Sequence, residues 1–465
     1  MRQLVVIDVV GLTPRLVGPD TPHLAKLAGE GFQAELGTVL PAVTCSAQAT
    51  MLTGLLPRDH GIVGNGWYFR DLAEVWFWRQ SNRLVSGEKV WERCRRRKTG
   101  FTCAKLFWWY NMYSTADWTV TPRPAYPADG RKIPGIYTQP PELRDLLEAE
   151  LGPFPLFQFW GPGAGLRSSR WIARAALRVL EAHRPDLTLV YLPHLDYDFQ
   201  RFGSDHHLSQ KALRAVDRTA GMVIDAARSL DMEVVVLSEY GIAPVNESVS
   251  INRILREEGL LRVHRSLGRE HLDAGASRAF AVCDHQVAHV YVRDPADVPV
   301  VEKVLLAIDG VDEVLGAEGK RAAGLDHPRS GELVAVARTD RWFDYYWWLD
   351  SRLAPDYART VDIHRKPGYD PCELFLDPAK RGLRARIALK LVRKALGFRY
   401  LMDVIPLDPG LVRGSHGRLP TSPADGPVLI SSSRKEAVAR LEMTQVPAFI
   451  EETAFGAEAG VGAPP

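Results

Sequence analysis

Thr44, in the segment VLPAVTCSAQATMLTGLLPRDHGIVGNGWYFRD at residues 39–71, is the side chain in this sequence best placed for covalent chemistry. It stands directly ahead of a helix-like run, AQATMLTGL. The spacing therefore puts its hydroxyl near a helix N-terminus, where backbone N–H groups and the dipole favour an anionic phosphoryl group. A threonine hydroxyl becomes a useful nucleophile only when a base or a metal ion takes its proton. A threonine with no such partner simply caps the helix. Groups that could assist are spread along the chain: Asp8 in MRQLVVIDVVGL, Asp196 in LPHLDYDFQRFG, Glu239 in LSEYG and His364 in TVDIHRKPGYDPCELF. Asp198, His285 and His327 are further candidates. The five cysteines are scattered without a C-x-x-C pair, so neither a disulfide framework nor a cysteine zinc site is expected. Cys45, next to Thr44, has no base beside it and reads as a small buried filler.

Those residues need elements to bring them together. The apolar run at residues 3–9 reads as a buried strand ending at Asp8, and TPHLAKLAGEG after it as a helix. Later, the helical RWIARAALRVLEAHRPD precedes the strand LTLVYLPHLD, and the helical SQKALRAVDRTAGMVIDAARSLD precedes the strand MEVVVLSEYG. This alternation predicts a parallel sheet covered on both faces, with its ligand crevice at the carboxyl ends of the strands. Asp8, Asp196 and Glu239 each end one of these strands and are expected to converge. The aromatic and proline-rich stretch between residues 66 and 165 has weaker strand signals and is expected to form excursions from the sheet that wall the pocket. Residues 250–326 read as an inserted cap, with the core resuming at GELVAVA. One catalytic unit over residues 1–425 would then be followed by a tail, 426–465, whose end GAEAGVGAPP is expected to be disordered.

Composition narrows the function classes. With 465 residues, 58 Lys plus Arg against 56 Asp plus Glu and 46% hydrophobic residues, the chain is a folded protein with ample core. Its formal charge of +2 argues against a broad basic field for a nucleic-acid polymer. No apolar run approaches the roughly 18 residues a spanning helix needs. The first residues lack the layout of a signal peptide, and a cytoplasmic location is expected. RCRRRK at residues 93–98 reads as a solvated helix face. ARIALKLVRKAL at 385–396 reads as a basic amphipathic surface helix packed on the core, with peripheral contact to an anionic membrane as the alternative.

Thr44, Thr53-Gly54, His60-Gly61-Ile62 and Asn65, together with Asp8 and the late GSHG, resemble the alkaline phosphatase superfamily, and more closely its nucleotide pyrophosphatase/phosphodiesterase branch. The resemblance covers most of residues 2–420. It implies an α/β fold, a three-layer α/β/α sandwich with a central, mostly parallel sheet and an inserted cap. It also implies a metal-dependent hydrolase of phosphate diesters or pyrophosphates acting through a phosphothreonine on Thr44. One or two divalent ions, Zn²⁺ or Mn²⁺/Mg²⁺, would be held by Asp8, Thr44 and Glu239 and by Asp196, His416 and the Gln200 carbonyl, with His364 the first choice for a compensating ligand. The sequence departs from the family pattern at Gln200 and Tyr240, where histidines are expected, and at Ala47, where an asparagine would hold a phosphoryl oxygen. Gln48 is the expected replacement donor, and Asn65 is expected to face the pocket. Such an oxygen-rich set suits Mn²⁺ or Mg²⁺ better than zinc. A phosphomonoesterase, a phosphonate hydrolase and a phosphate- or nucleotide-binding protein without turnover are the alternatives, and the expected partner is a small phosphoester or nucleotide. Sulfate esters are set aside, since TCSAQAT lacks the proline and arginine of the sulfatase segment.

Overall fold

A computed structural model describes residues 1–128 and 131–456. The strand Leu4–Val9, LVVIDV, is buried at every residue, as a β-branched run with neighbours on both edges and both faces must be. It pairs in parallel with Leu187–Leu192 and with Glu233–Leu237. These three strands form the middle of a nine-stranded sheet. Its order is Arg440–Glu442, Phe32–Gly37, Val428–Ser431, Glu233–Leu237, Leu4–Val9, Leu187–Leu192, Cys103–Leu106, Trp118–Pro122 and Ile136–Gln139. Only Val428–Ser431 and Ile136–Gln139 run against the rest. The helices Pro22–Glu30, Leu166–His183 and His207–Ser229 cover one face, and Thr44–Thr53, Val90–Arg97 and Val446–Phe455 the other. The mostly parallel α/β architecture stands as the sequence implies.

Register places the chemistry. Asp8 lies opposite Tyr191 on one neighbour and Leu237 on the other. Glu239 follows two residues after Leu237, and Asp196 falls in the first turn of the helix His194–Phe202 that leaves the other strand. All three carboxyl groups thus gather at one end of three adjacent strands.

Two boundaries differ from expectation. The second sheet has the order Ala279–Asp284, Val287–Val292, Leu333–Ala337, Val311–Leu315. GELVAVA therefore belongs to that sheet rather than to the resumed core, because its five buried residues pair with Val287–Val290 and Val311–Leu315. The division at residue 426 fails for a similar reason. Val428–Ser431 fills the slot between Phe32–Gly37 and Glu233–Leu237, and Leu441, Val446, Phe449 and Ile450 are buried in the main core. The GAEAGVGAPP end, from residue 457 on, lies outside the described residues. Among the described residues no helix is long and apolar enough to cross a membrane.

Candidate active site

The helix Thr44–Thr53 is buried at all ten positions. Gly54, in the left-handed region at φ 74°, ends it, and Gly61, at φ 77°, ends the short helix Pro57–His60. This accounts for the T-G and H-G pairs of the motif. His60 serves the frame and not the chemistry. Its Nδ1 accepts the Ile62 N–H at 3.0 Å, so its Nε2 proton goes to Thr50 Oγ1 at 3.0 Å, and burial lowers its pKa to about 3. Asn65 has its side chain committed to the frame. Its Oδ1 accepts the Cys45 N–H at 3.0 Å, while its own N–H and side-chain amide donate to Asp284 at 2.7 and 3.1 Å. It ties the start of the Thr44 helix to the second sheet. Cys45 is buried and its thiol pushed well up, the wrong direction for a nucleophile.

Thr44 Oγ1 donates to Glu239 Oε2 at 2.9 Å. Tyr240 Oη lies 3.0 Å from the same oxygen, and with that proton committed to Glu239 the tyrosine is the donor. Gln48, one turn further along the helix, donates its amide NH₂ to Glu239 Oε1 at 2.7 Å and to Asp8 Oδ2 at 3.1 Å. Its Oε1 accepts the backbone N–H of Trp109 at 2.7 Å. A backbone N–H can only donate, so the amide is held in this orientation. Gln48 is therefore a bridge between two carboxyl groups, not the free phosphoryl donor expected from sequence.

Beside this group, the Tyr240 ring stacks on His416 with centroids 3.6 Å apart and 8° between planes, and His416 lies 3.7 Å from His285, which lies 3.6 Å from Tyr369. His416 Nδ1–H donates to the Ala42 carbonyl at 2.8 Å, and His285 Nδ1 is paired with Asp284 Oδ1 at 2.8 Å. Asp196 takes the Gln200 NH₂ at 2.8 Å, and Tyr369 donates to Gln200 Oε1 at 2.8 Å. Tyr240, Asp284, His285 and Tyr369 escaped the sequence reading as members of one cluster. The available signal was the two-residue hairpin turn His285-Gln286 between the alternating apolar runs AVCD and VAHV.

Burial dominates the electrostatics. Together with the Glu239 carboxylate beside it, burial holds Asp8 well above the ordinary carboxylate range. It raises Glu239 to about 7, Asp196 to about 7 and Asp284 to about 6, and it pushes His285 and His416 far down, so both imidazoles are neutral.

The donor set can be tested against the divalent ions implied by resemblance. Asp8 Oδ1, Asp196 Oδ1, His416 Nε2 and His285 Nε2 are buried without a hydrogen-bond partner, and Asp196 Oδ1 lies 3.8 Å from His416 Nε2. The space between Asp8 and Glu239, however, faces the Gln48 NH₂, which carries positive partial charge and no lone pair to give. The Gln200 carbonyl, expected as a ligand, points to Tyr369 instead of toward Asp196. His364 sits against Phe77 with Lys132 and Arg79 as its cationic neighbours, away from the carboxyl cluster. His327 accepts the Arg329 N–H, and Asp198 pairs with Arg201 at 2.7 Å. Among the described residues no three His, Cys, Asp or Glu side chains gather as a cation site. Asp8, Thr44 and Glu239 are thus brought together, with Thr44, Glu239 and Asp8 Oδ2 taken by hydrogen bonds and Asp8 Oδ1 left without a partner, and the Gln48 NH₂ between Asp8 and Glu239 does not suit a cation at that point.

Comparison with known proteins agrees with the geometry at the level of family and fold. The family model for type I phosphodiesterase/nucleotide pyrophosphatase matches residues 4–370. A venom phosphodiesterase of Naja atra is 24% identical over 242 residues, 50% of this chain and 24% of that protein. An uncharacterized pyrophosphatase/phosphodiesterase of Schizosaccharomyces pombe is 23% identical over 278 residues, 57% of this chain and 49% of that protein. The chain therefore matches about half or less of the length of these curated relatives. Among solved structures, phosphonoacetate hydrolase from Sinorhizobium meliloti 1021, in complex with phosphonoformate, superposes with a TM-score of 0.62 at 16% identity, covering 98% of this chain and 96% of that one. An inactive form of murine ectonucleotide pyrophosphatase/phosphodiesterase 5, in complex with AMP, gives 0.58 at 12% identity, covering 98% and 95%. The chain belongs to the type I phosphodiesterase/nucleotide pyrophosphatase family.

Proposed function

We propose that the protein hydrolyses phosphate diesters or pyrophosphates with Thr44 as nucleophile. One observation carries this reading: the Thr44 hydroxyl, at a helix N-terminus, already gives its hydrogen bond to Glu239 at 2.9 Å and receives one from Tyr240. The relatives' names and ligands, a phosphodiesterase, an AMP complex and a phosphonoformate complex, supply the substrate class.

In the first step Thr44 Oγ attacks phosphorus and its proton passes to Glu239, while the leaving group departs with the electron pair of the broken P–O bond. The helix dipole favours the phosphoryl group at this point. The upward shift of Asp8 removes a negative charge that would otherwise repel it. Gln48 fixes the Glu239 carboxylate at one oxygen and leaves the other for Thr44. In the second step water attacks the phosphothreonine and Glu239 returns its proton to Thr44 Oγ as that oxygen leaves; one water proton stays on the product phosphate and the other passes through solvent to the departed leaving group. A cleft of about 360 Å³ bordered by Ala42, Tyr240, Gly241 and Arg418 offers room for the leaving group. Because the bridge from Gln48 does not fit a divalent ion between Asp8 and Glu239, no step is assigned to one there.

The test is direct detection of the intermediate. Acid quenching during turnover of a chromogenic diester, followed by mass spectrometry, should find, on the peptide bearing Thr44, a phosphoryl group still esterified to the alcohol that has not left. Turnover with no such adduct on that peptide would overturn the assignment.

A further inference from the structure

The near-balance of charge over the whole chain conceals a local excess. Residues 378–402 contain eight Lys and Arg side chains and no Asp or Glu. They lie beyond residues 4–370, the stretch matched by the family model. Thirteen of them form the helix Leu383–Ala395. Leu383 and Ile387 anchor it to a small cluster with Val245, Trp342, Ile405 and Val412. At 100° per residue, the side opposite those anchors carries Ala385, Ala388, Leu389, Val392, Ala395 and Leu396. Leu389 is 63% exposed, Val392 55% and Leu396 69%, and Phe398 and Leu401 continue the exposed apolar surface at 60% and 45%. Arg384 flanks this stripe on one side and Arg386 and Arg393 on the other. Lys380 and Lys390 are met by Asp377 and Asp403, whereas Arg384, Arg386 and Arg393 pair with no carboxylate among the described residues.

A surface helix that only had to be soluble would turn its charged face outward and its apolar face inward. This one packs two apolar residues, Leu383 buried and Ile387 partly buried, against the protein and presents a second apolar stripe, edged with unpaired guanidinium groups, away from it. Exposed leucine and valine gain by leaving water, and the arginines beside them need anions at the same depth. A surface that is apolar within and anionic at its head groups meets both demands, and two such helices facing each other would set unpaired arginines against one another. We infer that the helix Leu383–Ala395 is a membrane-surface anchor that lays its Leu389, Val392 and Leu396 stripe into an anionic phospholipid bilayer, with Arg384, Arg386 and Arg393 at the head groups. It lies on the surface and does not span it. The anchor is independent of the hydrolytic reading, since none of these residues belongs to the Thr44 site.

Flotation of the full-length protein with phosphatidylcholine vesicles, with and without phosphatidylglycerol, tests this. Wild type should float with the anionic vesicles and not with the neutral ones, and added salt should weaken the association. The triple variant Leu389→Gln, Val392→Gln, Leu396→Gln should lose at least about tenfold in partitioning. Arg384→Ser, Arg386→Ser, Arg393→Ser should lose a comparable factor. Because all six side chains are exposed, thermal unfolding and turnover of a soluble substrate should stay at the wild-type value. Three results would overturn the inference: no flotation of wild type with anionic vesicles, flotation unaffected by the leucine and valine changes, or a wild-type dimer that the Gln variant converts to monomer, which would assign the stripe to a second copy.

Discussion

Thr44 and Gln48 stand one helical turn apart, so their side chains share a face, and both reach Glu239. If Thr44 Oγ is the attacking atom, Thr44→Ala should lower kcat by about 10³-fold or more while leaving the melting temperature nearly unchanged. Gln48→Leu acts differently: it leaves the Trp109 N–H and two buried carboxyl groups short of a partner, and should cost about 2–4 kcal/mol in a urea melt. The pH profile carries a sign. Glu239 accepts the Thr44 proton only as a carboxylate, and burial raises it to about 7. The rate should therefore climb as pH rises through about 7 and level off above, and a rate that fell over that range would contradict the role of Glu239. Sequence alone revealed Asp8, Thr44, Asp196 and Glu239, because each ends a strand or starts a helix of a recognisable pattern. It did not reveal what Gln48 holds, because its two partners arrive on strands far away in the chain. Nor did it reveal Tyr240 as a hydrogen-bond donor, since substitution of an expected histidine pointed only to a lost ligand.

At the scale of elements, the strands Leu4–Val9, Leu187–Leu192 and Glu233–Leu237 were legible, because each is an apolar run beside an amphipathic helix. Cys103–Leu106, Trp118–Pro122 and Ile136–Gln139, short strands in the stretch expected to leave the sheet, instead belong to the central sheet. The closing strand Val428–Ser431 was not legible either. It spans four residues, runs antiparallel, and pairs with Phe32–Gly37 from almost the other end of the chain. A chain truncated after residue 425 should accordingly fail to fold, giving insoluble protein or a far-ultraviolet circular dichroism signal without a cooperative thermal transition. A soluble, cooperatively melting product would contradict the sheet order. The turn after Glu239 and Tyr240 is equally constrained. A Cβ on Gly241 would meet the Asp425 carbonyl oxygen at 1.9 Å and Thr13 Cγ2 at 2.8 Å. Gly241→Ala should cost about 1–3 kcal/mol and, by shifting the segment that carries both side chains, reduce kcat more than it raises KM.

For the molecule as a whole, the sheet supplies rigidity where the chemistry needs it, and the second sheet closes over it through Asp284, His285 and Asn65. Amides and a phenol are the partners of the carboxyl and hydroxyl groups there: Gln48 between Asp8 and Glu239, Gln200 on Asp196, and Tyr240 on Thr44. The family resemblance was readable from the short motif around Thr44, yet the hydrogen bonds that Gln48 and Gln200 give to the carboxyl groups were not. Those bonds depend on amide orientations set by the Trp109 N–H and the Tyr369 hydroxyl, neither of which lies near its glutamine in sequence. One measurement tests the account most directly: the rate of hydrolysis of a chromogenic phosphodiester by wild type and Thr44→Ala, each after exhaustive chelation and again with Zn²⁺, Mn²⁺ or Mg²⁺ added singly. The account predicts turnover that disappears with Thr44→Ala under every metal condition in which wild type turns over. Turnover that survives Thr44→Ala under any of those conditions would contradict it.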